Sequence, residues 1–256
     1  MSDNLAYNDA YARSVPAHVV EADERGVLLD RTVFYPGGGG QPADSGWLRT
    51  DGGGSWAVTG ARKAGDDVWH LLDEGVAPPQ VGTEVSAEID WQRRHALMRT
   101  HSALHVLCGV VWRDWGASVT GGNMEPLAGR MDFEFETMAG ELVAEIERRV
   151  AVEIAADREI RVATLPRDEA FAIPDLIRTK INLLPDGIAE VRTIEIVGLD
   201  LQADGGTHVA HTGEIGRVRV TGYESKGRIN KRIRIEVQEG SDGPAGVAQP
   251  PAREVA

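Results

Sequence analysis

The sequence predicts an α+β protein, with a small β-barrel-like N-terminal domain followed by an α+β domain of helices packed on a mixed or antiparallel sheet. Three observations carry that expectation. Short apolar runs broken by Gly, Pro and Asp recur at about ten-residue spacing through residues 1–90, the rhythm of a small barrel or sandwich. Helical periodicity takes over at residues 91–115 and again at 139–156. Strand-like pieces mixed with these long helices fill the rest, as in an α+β domain. The expected layout is a β-rich domain over residues 1–90, an α+β domain over 91–238, and a disordered tail over 239–256 rich in Gly, Pro and Ala.

Residues 19–22, 26–30 and 32–35 read as short strands. Next comes Pro36-Gly37-Gly38-Gly39-Gly40-Gln41-Pro42. It lacks the Gly-Lys-Ser/Thr ending of a nucleotide P-loop, so its glycines point to a tight turn that needs positive φ. Strands at 56–58, 67–72 and 81–89 complete the first domain, and Asp90 can cap the helix that follows. In that helix Leu97, His101, His105 and Cys108 share one stripe, Leu104, Leu107 and Val111 lie beside it, and Gly116 stops it. Leu142, Ile146 and Val150 give the second helix its apolar face, with Glu145, Glu147, Arg148 and Arg149 toward solvent. Residues 161–166 read as a strand, 167–171 as a helical turn and 191–197 as a strand with one buried face. Residues 216–223 and 229–237 read as a hairpin.

With 40 acidic against 27 basic residues the formal charge is −13. That balance argues against a general nucleic-acid binder held by bulk attraction, while leaving room for a local basic patch. No run of about 18 apolar residues occurs, and Met1-Ser2-Asp3-Asn4 lacks the basic start and apolar stretch of a signal peptide. A cytoplasmic protein without a membrane partner is expected. The single cysteine, Cys108, excludes an internal disulfide and reads as a small core residue.

The candidate chemistry lies in two stretches. In a helix, residues four apart sit one turn above each other, so His101 and His105 aim two imidazoles at one spot. Asp204-Gly205-Gly206-Thr207-His208 offers a carboxylate and a third imidazole on a glycine-rich, loop-like segment. An HxxxH pair alone is as easily a coincidence of core or surface. Both stretches together, in a chain with seven histidines, favour a zinc site.

These residues resemble the free-standing alanyl-tRNA editing proteins, the AlaX family, related to the editing domain of alanyl-tRNA synthetase. That family joins an HxxxH helix to a CxxxH loop running into Thr-Gly-Glu-Ile-Gly. Here these are Arg99-Thr100-His101-Ser102-Ala103-Leu104-His105-Val106 and Asp204 to His208, followed by Thr212-Gly213-Glu214-Ile215-Gly216. Phe34-Tyr35-Pro36-Gly37 matches the motif of the N-terminal domain in longer members, and residues 178–185 look like another family segment. The resemblance spans about residues 28–237.

The resemblance implies one zinc per chain on His101, His105, Asp204 and His208. It also implies hydrolysis of the ester that joins serine, and secondarily glycine, to tRNA(Ala). Zinc could activate water, or hold the substrate amino group while another water attacks. Asp204 stands where the family carries cysteine. It is either a ligand of the same charge and harder character, or a turn cap beside three histidine ligands. Thr120 is the expected reader of the serine hydroxyl, with a plain turn threonine as the alternative. Loop chemistry makes the N–H groups of Gly205 and Gly206 candidates for stabilising the oxyanion. For tRNA contact the candidates are Gly38, Gly39, Gly40 and Gln41 by analogy, Arg99 beside the zinc helix, and Lys226, Arg228, Lys231 and Arg232 on the last hairpin. The hairpin cations can equally be the solvent side of a strand. Two rival readings remain open: a hydrolase of this fold acting on another aminoacyl ester or amino-acid derivative, and a binding protein with purely structural zinc. The sequence leaves the oligomeric state unknown.

Overall fold

The computed structural model describes residues 3–178, 187–239 and 253–254. Expectations for residues 179–185 and for most of the tail fall outside them. The chain divides into two compact units, the first running to Ala96 and the second beginning at Leu97.

The first unit is a closed barrel. After short β1 (Asp3–Asn4) come β2 (Ala12–Asp23), β3 (Gly26–Leu29), β4 (Arg31–Thr32), β5 (Gly46–Arg49), β6 (Ser55–Ala64), β7 (Asp67–Leu72) and β8 (Glu84–Ile89). Antiparallel pairing runs β2-β3-β7-β6-β5-β8 and returns from β8 to β2, so six strands close on themselves and leave no edge. Alternation sets the inside: Ala12, Val15, Ala17 and Val19 of β2 meet Val27, Leu29, Leu48, Val58, Val85, Ala87 and Ile89. Bulges between Val19 and Glu21 and between Val58 and Gly60 supply the bends a small barrel needs. Between β4 and β5, residues 37–40 all take positive φ, from 59° to 131°, which glycine alone adopts without strain.

The second unit is organised around helix α1 (Trp91–Trp115), most of which belongs to it. Residues 97–111 of α1 are buried without interruption. This exceeds the single stripe read from the sequence. A helix covered on every side is a core element, and each polar side chain on it needs a partner or a task. Around it lie a four-stranded antiparallel sheet, ordered β14 (Arg217–Ser225), β15 (Asn230–Gln238), β10 (Ala128–Glu134), β9 (Val119–Glu125), and a three-stranded sheet of β11 (Ile160–Pro166), β12 (Glu190–Ile196) and β13 (Asp200–Ala203). Helix α2 (Gly140–Ala155) packs on β14, and α3 (Arg167–Ala172) follows β11. The β9–β10 hairpin has no counterpart in the sequence reading. Its Gly129 lies so near α1 that a Cβ there would be 3.2–3.3 Å from Leu104 and Thr100. No described helix is long and apolar enough to cross a membrane.

Candidate metal and substrate site

Buried α1 presents His101 and His105 one turn apart, and the loop after β13 brings two more donors to them. That loop is held from behind by β12. Asp204 N–H donates to the Arg192 carbonyl, and Arg192 Nη1 returns bonds to the carbonyls of Asp204 (3.1 Å) and Gly206 (2.8 Å). Within the loop, the Gly206 N–H donates to Asp204 Oδ2 at 2.6 Å, closing a turn of the Asx type.

Asp204 Oδ1 lies 3.5 Å from His101 Nε2 and 3.9 Å from His105 Nε2, and Oδ2 lies 3.1 Å from His208 Nε2. The three imidazole centroids are 4.3–4.9 Å apart. One donor atom from each of the four residues lies within 4.8 Å of the others. Four ligands about 2.0–2.1 Å from a tetrahedral ion stand roughly 3.3 Å apart, so the cluster needs only a small contraction to close on one.

The electrostatics point the same way. Burial pushes His208 down to about 4 and holds His101 well below the ordinary histidine range, so both rings stay neutral, the form that ligates. Burial opposes ionisation of Asp204, but the polar edges of the His101, His208 and His105 imidazoles that face it override it. Its carboxyl lies well below the usual range. An ionised carboxylate facing the neutral rings of His101 and His208, largely withdrawn from water, is a costly arrangement without a cation. The donor set therefore fits a divalent ion of zinc's character. Of the two Asp204 oxygens, Oδ2 caps the turn and also meets His208, while Oδ1 faces His101 and His105, so the cap leaves room for a ligand role.

A family described as "Threonyl and Alanyl tRNA synthetase second additional domain" matches residues 191–234, and one described as "tRNA synthetases class II (A)" matches residues 8–93. Alanyl-tRNA editing protein AlaX-M of Saccharolobus solfataricus is 34% identical over 239 residues, covering 93% of this chain and 100% of the relative. The AlaX-M protein of Methanosarcina barkeri is 36% identical over 237 residues, covering 91% and 98%. The chain belongs to the alanyl-tRNA editing protein family. It also aligns with 25% of the alanine–tRNA ligase of Pyrobaculum aerophilum, at 40% identity over 228 residues.

Other residues expected to serve an editing protein fall into distinct places. Thr120 is exposed on β9, and its hydroxyl donates to Asn230 Oδ1 at 2.8 Å rather than to any of the four cluster residues. The expectation for Gly206 needs correction: its single N–H is spent on Asp204, which leaves exposed Gly205 as the candidate donor. Gly38, Gly39 and Gly40 are exposed, whereas Gln41 is buried and exchanges backbone bonds with Gly38. Arg99 is buried, with Nε on the Ile215 carbonyl and Nη2 on that of Gln238, both 2.9 Å away, so it braces the fold where a surface cation was expected. Lys231 is likewise buried, its Nζ donating to the carbonyls of Gly227 and Arg228. Arg232 grips Asp132 with two bonds of 2.7 and 2.8 Å. Lys226 and Arg228 remain exposed at the hairpin tip. Arg192 and Ser102, which hold the loop and meet His208, carry no sequence signal. One sits in an alternating strand, and the other is a small residue inside a helix.

Proposed function

We propose that this protein deacylates tRNA(Ala) mischarged with serine, and secondarily with glycine, by zinc-assisted hydrolysis of the aminoacyl ester in the cytoplasm. One zinc per chain is held by His101, His105, Asp204 and His208. What supports this reading is the buried four-donor cluster in a chain that aligns almost end to end with alanyl-tRNA editing proteins. Bound zinc supplies Lewis-acid polarisation or orientation of the ester. The chain's own residues do the rest. Burial keeps the His101 and His208 imidazoles unprotonated, and the Asp204 carboxylate retains the single negative charge that cysteine brings in relatives. The Arg192 clamp fixes the loop before substrate arrives. Gly205, exposed beside Asp204, offers its N–H to charge developing on the ester oxygen.

Selectivity has to come from one hydroxyl, because seryl and alanyl esters differ in nothing else. A site that hydrogen-bonds a substrate hydroxyl rejects the analogue lacking it. Thr120 is assigned that task, exchanging its Asn230 bond for the serine hydroxyl. Thr120→Val then narrows the ratio of seryl to alanyl deacylation rates by about 1 kcal/mol, the net worth of one hydrogen bond; an unchanged ratio removes Thr120 from the role. For tRNA contact, exposed Lys226 and Arg228 and the loop of Gly38, Gly39 and Gly40 are the available elements. The whole reading is tested by incubating purified protein with Ser-, Gly- and Ala-tRNA(Ala). Rapid release of serine and slow release of alanine is expected, and seryl-tRNA as long-lived as in buffer overturns it.

A further inference from the structure

Ser102 follows the first histidine of the pair and is fully buried at the heart of α1. Its oxygen reaches out of the helix to the ligand loop. Oγ lies 3.2 Å from His208 Nδ1 and accepts the backbone N–H of Val209, also at 3.2 Å. An amide N–H can only donate, so the Val209 bond takes one lone pair of Oγ and leaves the second able to accept from Nδ1.

A neutral imidazole carries one N–H and one lone pair. His208 turns Nε2 into the cluster, 3.1 Å from Asp204 Oδ2. For Nε2 to give its lone pair to a cation, the ring proton has to sit on Nδ1, and Nδ1–H needs an acceptor. We infer that Ser102 is the positioning residue that receives this proton's hydrogen bond, orienting the His208 ring and holding the tautomer whose Nε2 binds metal. The inference rests on the zinc reading above. In this scheme α1 contributes to the centre three times, through two donors of its own and through the residue that aims a third donor from the loop. The same oxygen ties His208 and Val209 together, so ring orientation and loop backbone are set by one atom. Partners of this kind change metal affinity by about 10–100-fold when removed.

The test is titration of zinc alone into the metal-free full-length protein, with wild type, Ser102→Ala and Ser102→Thr competed against a chromophoric chelator. Ser102→Ala is expected to bind zinc about 10–100-fold more weakly, and Ser102→Thr, which keeps the oxygen, to recover most of the affinity. A merely structural serine lowers the unfolding midpoint but leaves zinc affinity of the folded protein unchanged, and that result removes this inference alone. Wild type that takes up no stoichiometric zinc removes the metal reading and this inference with it. ¹⁵N shifts of His208 in zinc-loaded wild type need no variant to fold. A proton on Nδ1 is expected, and coordination through Nδ1 overturns the assignment.

Discussion

Two carboxylates, one buried in the first unit and one nearly so in the second, are handled in opposite ways. Asp44, in the barrel, meets Arg94: Nε lies 3.0 Å from both carboxylate oxygens, Nη2 adds a further contact, and the Tyr35 N–H donates at 2.7 Å. The remaining guanidinium donors reach the carbonyls of Ala10 and Val33. Charge and hydrogen bonds are complete, and nothing is left to bind. Asp204 has imidazoles where Asp44 has an arginine. Charge is left over, and donor atoms converge on one point. The contrast separates a brace from a binding centre without any appeal to motif: the brace is closed by a cation on the carboxylate itself, while Arg192, beside the centre, bonds the carbonyls of Asp204 and Gly206.

The largest expected effect is functional and falls on the open side. His105→Ala removes one donor, and both stoichiometric zinc and measurable hydrolysis should disappear while the apo fold persists. Retention of metal by elemental analysis would show that the other three donors suffice. Next, Asp204→Ala and Asp204→Asn should each lower zinc affinity by orders of magnitude, because the charge is lost in both although asparagine still caps the turn. Asp204→Cys should restore binding and shift preference toward softer metals. Wild-type affinity in the asparagine protein would reduce Asp204 to a turn residue. The closed side answers with stability instead. Arg94→Ala strands a buried carboxylate and should lower the unfolding free energy in urea by about 3–5 kcal/mol. A loss under 1 kcal/mol would mean that water replaces the guanidinium.

A smaller, pH-dependent effect belongs to His70, also in the barrel. It is buried, with Nε2 on Thr32 Oγ1 at 2.7 Å and Nδ1 on the Val27 carbonyl at 3.0 Å. Burial pushes it from 6.5 down to about 4. The unfolded chain takes up this proton near 6.5 and the folded one only near 4, so stability is full above 6.5. It falls as pH drops through that window, by up to about 1.4 kcal/mol per unit. His70→Gln should flatten the difference in urea-unfolding free energy between pH 7.5 and pH 5, measured on metal-free protein. Equal slopes in both proteins would assign the dependence to other groups.

The barrel rhythm, both long helices and the four-donor set were legible because each is written locally, as alternation, as 3.6-residue periodicity or as four-residue spacing. What stayed hidden depends on contacts that no local pattern announces, several of them with partners far along the chain. Arg99 looked like a surface cation because its acceptors, at Ile215 and Gln238, come from segments more than a hundred positions away. Lys231 looked solvated because the carbonyls that receive it are those of its own hairpin tip. The β9–β10 hairpin escaped notice because Gly121, Gly122 and Gly129 interrupt its alternation, and at Gly129 the reason is the closeness of α1. Ser102 and Arg192 act on the ligand loop from elements whose own pattern gives no hint of it.

The two oxygens of Asp204 face different ways, Oδ2 toward the Gly206 amide and Oδ1 toward His101 and His105. A thiolate has a single sulfur, so a metal bond and any N–H bond would fall on that one atom, the N–H bond being the weaker for it. Carrying aspartate at this position therefore gives the loop a strong oxygen acceptor and the centre its charge in one side chain, on two different atoms. The Gly206 amide proton should then exchange slowly with solvent even before any ion arrives, and lose that protection in the Asp204→Cys protein although its metal returns.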